Sequence, residues 1–533
     1  MRRGAIFIIK GSNLSANGYT PFAPPRPTVS SGVKVTFTPT GGGAGTDAYL
    51  VYLYNQGGVN QLAAILPSTV AVGTYNVTVT NGTVSTPLAA QVVANKVGLF
   101  TQDSSGSGLA SVQNYISASV VDLNRLTTGS LSGTTISPAR PGQYMLAYGT
   151  GLGAYGAGDN TTSPAFDFSK TLNIQAVVAG VSIPVAYAGR AGYAGQDQIN
   201  FVLPTNIQTG CSVPFQLSVN GVLSNSTFIA IAPDASATAC IVPGFTTEQL
   251  KNFDGGGTYT TGAFTLTQFS LTDPAFGTMK LESAAGAFTR LTGFQLSGAA
   301  AQDQSKATNS CQVIRTVTTA GDMPTGSVVN LDAGAITLNG PGGSNITNLA
   351  LTQDPTYNSY SALLGNFGIP GQTAGGTIVP GTYTLRGVGG KGVGAFNASV
   401  TLGPTLTVSP ALPSTVLRSA GLTVNWTGGN ASDLVEILGS SSTTSGTGLK
   451  QTVTSATFVC TTTAGNRTFT VPASILTQLP ASTDANGGFL AVASAGTPNN
   501  GNGLFTAPLT AGGSIDAGFF LGFVGVGATA NYQ

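Results

Sequence analysis

Tyr75-Asn76-Val77-Thr78-Val79-Thr80-Asn81-Gly82 is the stretch that decides the fold of this chain. Apolar and polar residues alternate, which buries one face of an extended strand and wets the other, and the β-branched residues favour that backbone. Asn-Gly then supplies two residues that tolerate positive φ, the strongest short-range hairpin signal. The same construction returns at Phe215-Gln216-Leu217-Ser218-Val219, again followed by Asn220-Gly221. Helical periodicity is scarce. It is confined to Thr246–Phe253, where Thr246 and Gln249 have capping-box spacing, and to Ala473–Leu479 between Pro472 and Pro480.

Working outward, the two hairpins belong to an internal repeat. Leu66-Pro67-Ser68 aligns with Leu203-Pro204-Thr205 at an offset of 137 (203 − 66), and Asn81-Gly82 aligns with Asn220-Gly221 at 139 (220 − 81). Ile9-Lys10-Gly11-Ser12-Asn13-Leu14 corresponds to Tyr148-Gly149-Thr150-Gly151-Leu152. Near-constant offsets imply two copies of one domain, each with about seven short strands, the pattern of an immunoglobulin-like sandwich. The expected fold class is all-β: tandem immunoglobulin-like β-sandwich domains with a third and a fourth β-rich domain. The expected boundaries are 1–97, 98–236 with a linking hairpin at 98–121, 237–409, and a C-terminal β-sandwich at 410–533. The Gly-Ser-rich centre around Ser104-Ser105-Gly106 reads as a hairpin tip or linker.

A chain of 533 residues is too long for one core, and its apolar fraction of 41% is ordinary. Its charged fraction of 7% is far below the roughly 25% that is usual, so hydroxyls and amides must wet the surface. Such a surface suits close contact with other macromolecules and steers charged partners poorly. The 20 basic and 19 acidic residues form no run that tracks phosphates, which argues against nucleic acid. Histidine is absent, which excludes Ser-His-Asp, Cys-His and zinc-hydrolase chemistry. The only glutamates, Glu248, Glu282 and Glu436, are widely separated, so a glycosidase would need aspartates assembled by folding.

The four cysteines, Cys211, Cys240, Cys311 and Cys460, show no CxxC spacing and read as two disulfides in an oxidising compartment. Three pairings are open. Cys211–Cys240 with Cys311–Cys460 is favoured because the first pair brackets one strand hairpin. Met1-Arg2-Arg3 followed by Gly4-Ala5-Ile6-Phe7-Ile8-Ile9 mimics a signal peptide, but Lys10-Gly11-Ser12-Asn13 cuts the apolar stretch short, and it reads as a strand. Either an export signal was removed upstream, or Met1 is not the biological start. The apolar run Ala517–Ala528 is well short of the ~20 residues a membrane helix needs.

With these pieces placed, the chain resembles the secreted acidobacterial proteins that carry the Solibacter-type C-terminal domain, built from immunoglobulin-like, plexin and transcription-factor-like units. The residues that carry the resemblance begin with Phe7-Ile8-Ile9-Lys10-Gly11-Ser12-Asn13-Leu14, Gly98-Leu99-Phe100-Thr101, Tyr148-Gly149-Thr150-Gly151-Leu152-Gly153 and Gln198-Ile199-Asn200. Leu331-Asp332-Ala333-Gly334, Gly340-Pro341-Gly342-Gly343, Gly389–Phe396 and Trp426-Thr427-Gly428-Gly429 continue it. The resemblance implies export and a β-sandwich fold. It carries no activity and no catalytic residues.

Several motifs have a plain reading that outweighs a functional one. Gly151-Leu152-Gly153-Ala154-Tyr155-Gly156 matches GxGxxG, but Gly158–Pro164 behind it is loop sequence, so no helix N-terminus awaits a pyrophosphate. Asp254-Gly255-Gly256 and Asp484-Ala485-Asn486-Gly487 are turn chemistry without EF-hand spacing. Trp426 reads as a core residue rather than a sugar-stacking platform, although the many Tyr and Phe keep a carbohydrate surface open. No cofactor and no metal site are expected.

The function expected is an extracellular structural protein, the subunit of a surface fibre whose copies join by strand addition. The strands assigned to that role are Ala5, Ile6, Phe7, Ile8 and Ile9 at one end, and Phe519, Phe520, Leu521, Phe523, Val524 and Val526 at the other. Its partner would be a further copy of the chain. The alternative is a monomeric adhesin or carbohydrate-binding module recognising surface glycans. An aspartate-based hydrolase using Asp332, with Lys391 or Arg386, ranks last.

Overall fold

The computed structural model describes every residue except 95, 105, 155–157, 163–164, 191, 243–244, 274–276, 293–308, 320–326, 366–375, 446–451, 483–487, 497–498 and 501. Ser105, Tyr155-Gly156, Ser163-Pro164 and Asp484–Gly487 from the motifs above lie outside the described residues. The described chain is built of strands, and the two helices expected at Thr246–Phe253 and Ala473–Leu479 run over Thr247–Asp254 and Ala473–Leu476. The first carries the capping box: Thr246 Oγ1 accepts from the Gln249 amide while Gln249 answers to the Thr246 amide. No described helix is long and apolar enough to cross a membrane.

The first repeat is a two-sheet sandwich. One sheet runs Ile6–Lys10, Val59–Ile65, Tyr49–Gln56, Gly18–Pro21, and the other is built on Lys34–Pro39 and Gly73–Asn81. Between them lie Val35, Phe37, Leu50, Leu62, Ala64 and Val77, the inward half of each alternating stretch. The hairpins form at the Asn-Gly pairs: Gly82 has φ +71°, and Asn220 and Gly221 have φ +50° and +80°. Only Asn220-Gly221 has both residues in that region, as a type I′ turn requires; at the first hairpin Asn81 stays in its strand, paired with Thr83.

The repeat extends to its irregularities. In the first copy Leu50 pairs with Ala64 and Tyr52 with Ala63, a bulge at Val51; in the second Val185 pairs with Phe201 and Tyr187 with Asn200, a bulge at Ala186. The offset between Ala63 and Asn200 is 137, the same as that between Leu66 and Leu203. A shared bulge at a shared register means that corresponding side chains leave corresponding faces of the two sheets.

The third and fourth units interlock across residue 409. Ser310–Thr319 leaves the third stretch to pair with Thr452–Thr463 of the fourth. The C-terminal strand Ala517–Tyr532 crosses the other way. Sixteen residues at about 3.3 Å each reach roughly 53 Å, enough to serve both cores. Phe520 and Val524 enter the core with Phe264, Phe288 and Phe396, while Ala530 and Tyr532 enter the core with Trp426 and Phe458. One sheet therefore runs through both units.

Candidate functional site

The outward faces of the two repeated sheets carry tyrosines and neutral amides in matching positions. On the first, Tyr54 stands opposite Tyr19 and Gln61, and Tyr52 opposite Ala63. The Tyr19 ring lies 5.9 Å from Tyr52 and 6.0 Å from Tyr54, and Gln61 Nε2 donates to the Tyr52 hydroxyl at 3.0 Å. Tyr19 is 56% exposed. On the second, Tyr148 stands opposite Gln198, Leu146 opposite Asn200, and Tyr187 opposite Asn200 from the other side. Tyr115 and Tyr144 meet edge to face at 5.7 Å, Tyr148 donates to Gln113 Oε1 at 2.7 Å, and Gln198 Nε2 donates to Asn200 Oδ1 at 2.8 Å.

Tyr52 and Gln61 in the first copy thus occupy the register of Tyr187 and Gln198 in the second, since 198 − 61 is again 137. Burial, with Tyr19 alongside, raises the Tyr52 phenol; burial, with Tyr193 alongside, raises that of Tyr148. Both stay protonated at neutral pH; the Tyr52 hydroxyl accepts from Gln61 and has its O–H to offer, while that of Tyr148 is committed to Gln113 Oε1. Rings give flat apolar area at low entropic cost, and phenols and amides give donors and acceptors without charge. Such a face is chemically matched to a neutral, hydroxyl-rich, partly apolar ligand.

The residues singled out for assembly separate into two groups. Ile6–Lys10 forms the edge of its sheet, pairing with Val59–Ile65 alone, with Phe7 and Ile9 turned to the core and Ile8 51% exposed. Ala5 is buried, and the Ile6 amide already donates to Thr150 Oγ1 at 2.8 Å. Phe519, Phe520, Leu521, Phe523, Val524 and Val526, by contrast, lie on a strand that pairs with Thr258–Asp273 along one side, and on the other with Gly488–Ala495 from Phe523 onward and with Gly503–Phe505 at Gly518 and Phe519. Within this chain that segment pairs inside its own sheet, with Phe519 and Phe520 buried in two cores and Phe523 half-buried.

The disulfides are Cys211–Cys240 and Cys311–Cys460. Trp426 is buried, its indole N–H donating to the Ala464 carbonyl at 3.1 Å. Asp332 holds a turn: Oδ1 accepts from the Gly334 amide and Gln353, and Oδ2 from the Lys391 amide. These backbone hydrogen bonds hold it below the usual carboxylate value. Gly151 keeps the first and second units close, because a Cβ there would lie 3.0 Å from the Lys96 carbonyl oxygen and 3.4 Å from Ala5 Cβ. Among the described residues no three Cys, Asp or Glu converge on a metal position.

Buried polar ties fix the units to one another. Asp159 accepts from the Ser68 amide at 2.6 Å and its hydroxyl at 2.7 Å, joining the first two repeats. Arg190 pairs with Asp197 at 2.6 Å, fully buried, and reaches the Gly4 carbonyl at 2.9 Å. Asp254, at the end of the first helix, accepts from the amides of Leu126 and Thr127 and from the Thr127 hydroxyl, with Arg125 Nε at 3.8 Å. Burial raises Asp197 and Asp254 despite those partners.

No family model and no curated protein matches this chain. Among solved structures it is similar to the Bacteroides ovatus mixed-linkage glucan utilization locus protein SGBP-B in complex with a mixed-linkage heptasaccharide, at 11% identity over 80% of this chain and 76% of that one, TM-score 0.12. It is also similar to Sidekick-1 immunoglobulin domains 1–4, at 8% identity over 99% and 95%, TM-score 0.11. The N-terminal eight immunoglobulin domains of Down Syndrome Cell Adhesion Molecule give 9% identity over 92% and 64%, TM-score 0.11. At such overlap no function passes from them to this chain.

Proposed function

We propose that this chain is an exported surface protein whose tandem sandwiches bind neutral glycans on their tyrosine and amide faces. The observation that carries the reading is the Tyr52–Gln61 pair at the register of Tyr187–Gln198 on two outward sheet faces. Core packing does not require polar aromatics at outward positions, whereas a ligand of rings and hydroxyls does. Export is supported by the two disulfides and by the resemblance to secreted acidobacterial proteins. The reading involves no catalytic step. It is tested by applying the full chain to an array of neutral and acidic oligosaccharides. Binding to neutral members, competed by the same free sugar, is expected; an array on which no neutral glycan retains the protein overturns the reading.

A second reading, assembly of copies by strand addition, rests on the Ile6–Lys10 edge and the exposed Ile8. Sedimentation of the wild type beside Ile8→Lys tests it. Concentration-dependent polymers that the substitution abolishes are expected, and a monomer at all concentrations refutes it.

A further inference from the structure

Where the first, second and C-terminal units meet, a crevice of about 930 Å³ opens, within the size range of small-molecule sites. Its cations are Arg2, Lys96 and Arg315, and no carboxylate is among the described residues that line it. Arg2 is 4% exposed, yet its Nε and Nη1 find no hydrogen-bond partner among the described residues. The nearest carboxylate whose field reaches it, Asp197, is already committed to Arg190 at 2.6 Å and to the Leu152 amide at 2.8 Å. Burial pulls the Arg2 guanidinium down to about 10, with Asp197 opposing and Arg190 adding to the effect.

Two exposed cations stand at the mouth. Arg315 donates to the Gln478 carbonyl, and its charge, after desolvation, helps lower Lys96. The walls add Phe7, Phe100 and Leu223. A buried guanidinium without a counter-charge is costly to keep, and its planar donors match an oxyanion. The chain has 20 basic and 19 acidic residues in 533, so three cations in one crevice, with no carboxylate among its described lining residues, are a local departure from its own composition.

We infer that this crevice binds a small organic oxyanion, a carboxylate or sulfate carried on a body of up to disaccharide size. Arg2 is its buried contact, and Lys96 and Arg315 guard the entrance. The site is separate from the tyrosine faces and stands or falls independently of them.

The test is calorimetric titration of the full chain with sodium sulfate, sodium glucuronate and glucose at matched ionic strength, together with thermal unfolding. Saturable binding of glucuronate and none of glucose is expected. Arg315→Gln, at an exposed position, should weaken binding about tenfold and leave the ligand-free melting temperature unchanged. Arg2→Met should abolish binding and raise that temperature, because an unpaired buried charge is removed. A purely structural Arg2 would give a lower melting temperature instead. Saturation by sulfate but not glucuronate would refute the organic body and leave a free-ion site. Absence of saturation by either anion, or unchanged affinity in both variants, would overturn the inference entirely.

Discussion

Removal of the Cys311–Cys460 disulfide should destabilise the C-terminal unit more than removal of Cys211–Cys240 destabilises its own surroundings. The bonds close chain separations of 149 and 29 residues. Loop-closure entropy then gives about 5 kcal/mol for the longer loop and about 3.5 kcal/mol for the shorter. The single tryptophan makes the difference readable, because Trp426 and Cys460 share one core. Cys311→Ala with Cys460→Ala should therefore move the tryptophan-fluorescence transition in urea. At a slope of about 2.5 kcal/mol per molar, the midpoint should fall by about 2 M. Cys211→Ala with Cys240→Ala perturbs the cluster of Phe253, Tyr259 and Phe519 and should leave the tryptophan transition within about 0.5 M of wild type. Equal tryptophan shifts in the two variants, or the reverse order, would refute the reasoning.

Asp254→Ala should cost about 3–5 kcal/mol in urea unfolding, since it strands buried Arg125 and two amides, while Asp254→Asn keeps one acceptor oxygen and should cost less. Burial alone would raise Glu282, but hydrogen bonds from Gln268, Lys280, the Ile378 amide and Thr377 outweigh it and hold the carboxylate below 4.5. Its stabilisation is present above that value and lost as pH falls through the folded-state value, so Glu282→Gln should unfold more easily at pH 7 and show a shallower acid dependence by circular dichroism. Gly525→Ala should lower the melting temperature sharply, because its Cβ would lie 2.1 Å from the Val492 carbonyl oxygen in the neighbouring strand.

The strands, hairpins, capped helix and repeat were legible because each rests on local chemistry: alternation at Tyr75–Thr80, Asn-Gly turns, and Thr246 three residues before Gln249. The path of Ala517–Tyr532 was not, because its apolar and glycine residues suit a donated strand as well as a central one, and long-range pairing decides between them. The tyrosine faces were half visible. Gln61 and Gln198 sit at the same offset of 137 that revealed the repeat, and applying that offset to outward residues would have found them. Arg2 could not be read as unpaired from sequence, since its burial depends on three units meeting.

The most direct test of the glycan reading is affinity electrophoresis of the full chain through gels containing a neutral polysaccharide that it binds on the array, comparing wild type with Tyr19→Ala/Tyr52→Ala, Tyr148→Ala/Tyr187→Ala and the fourfold variant. Each pair should weaken retardation about tenfold, and the fourfold variant should migrate as though no polysaccharide were present, with circular dichroism unchanged. Retardation that survives all four substitutions would contradict the account.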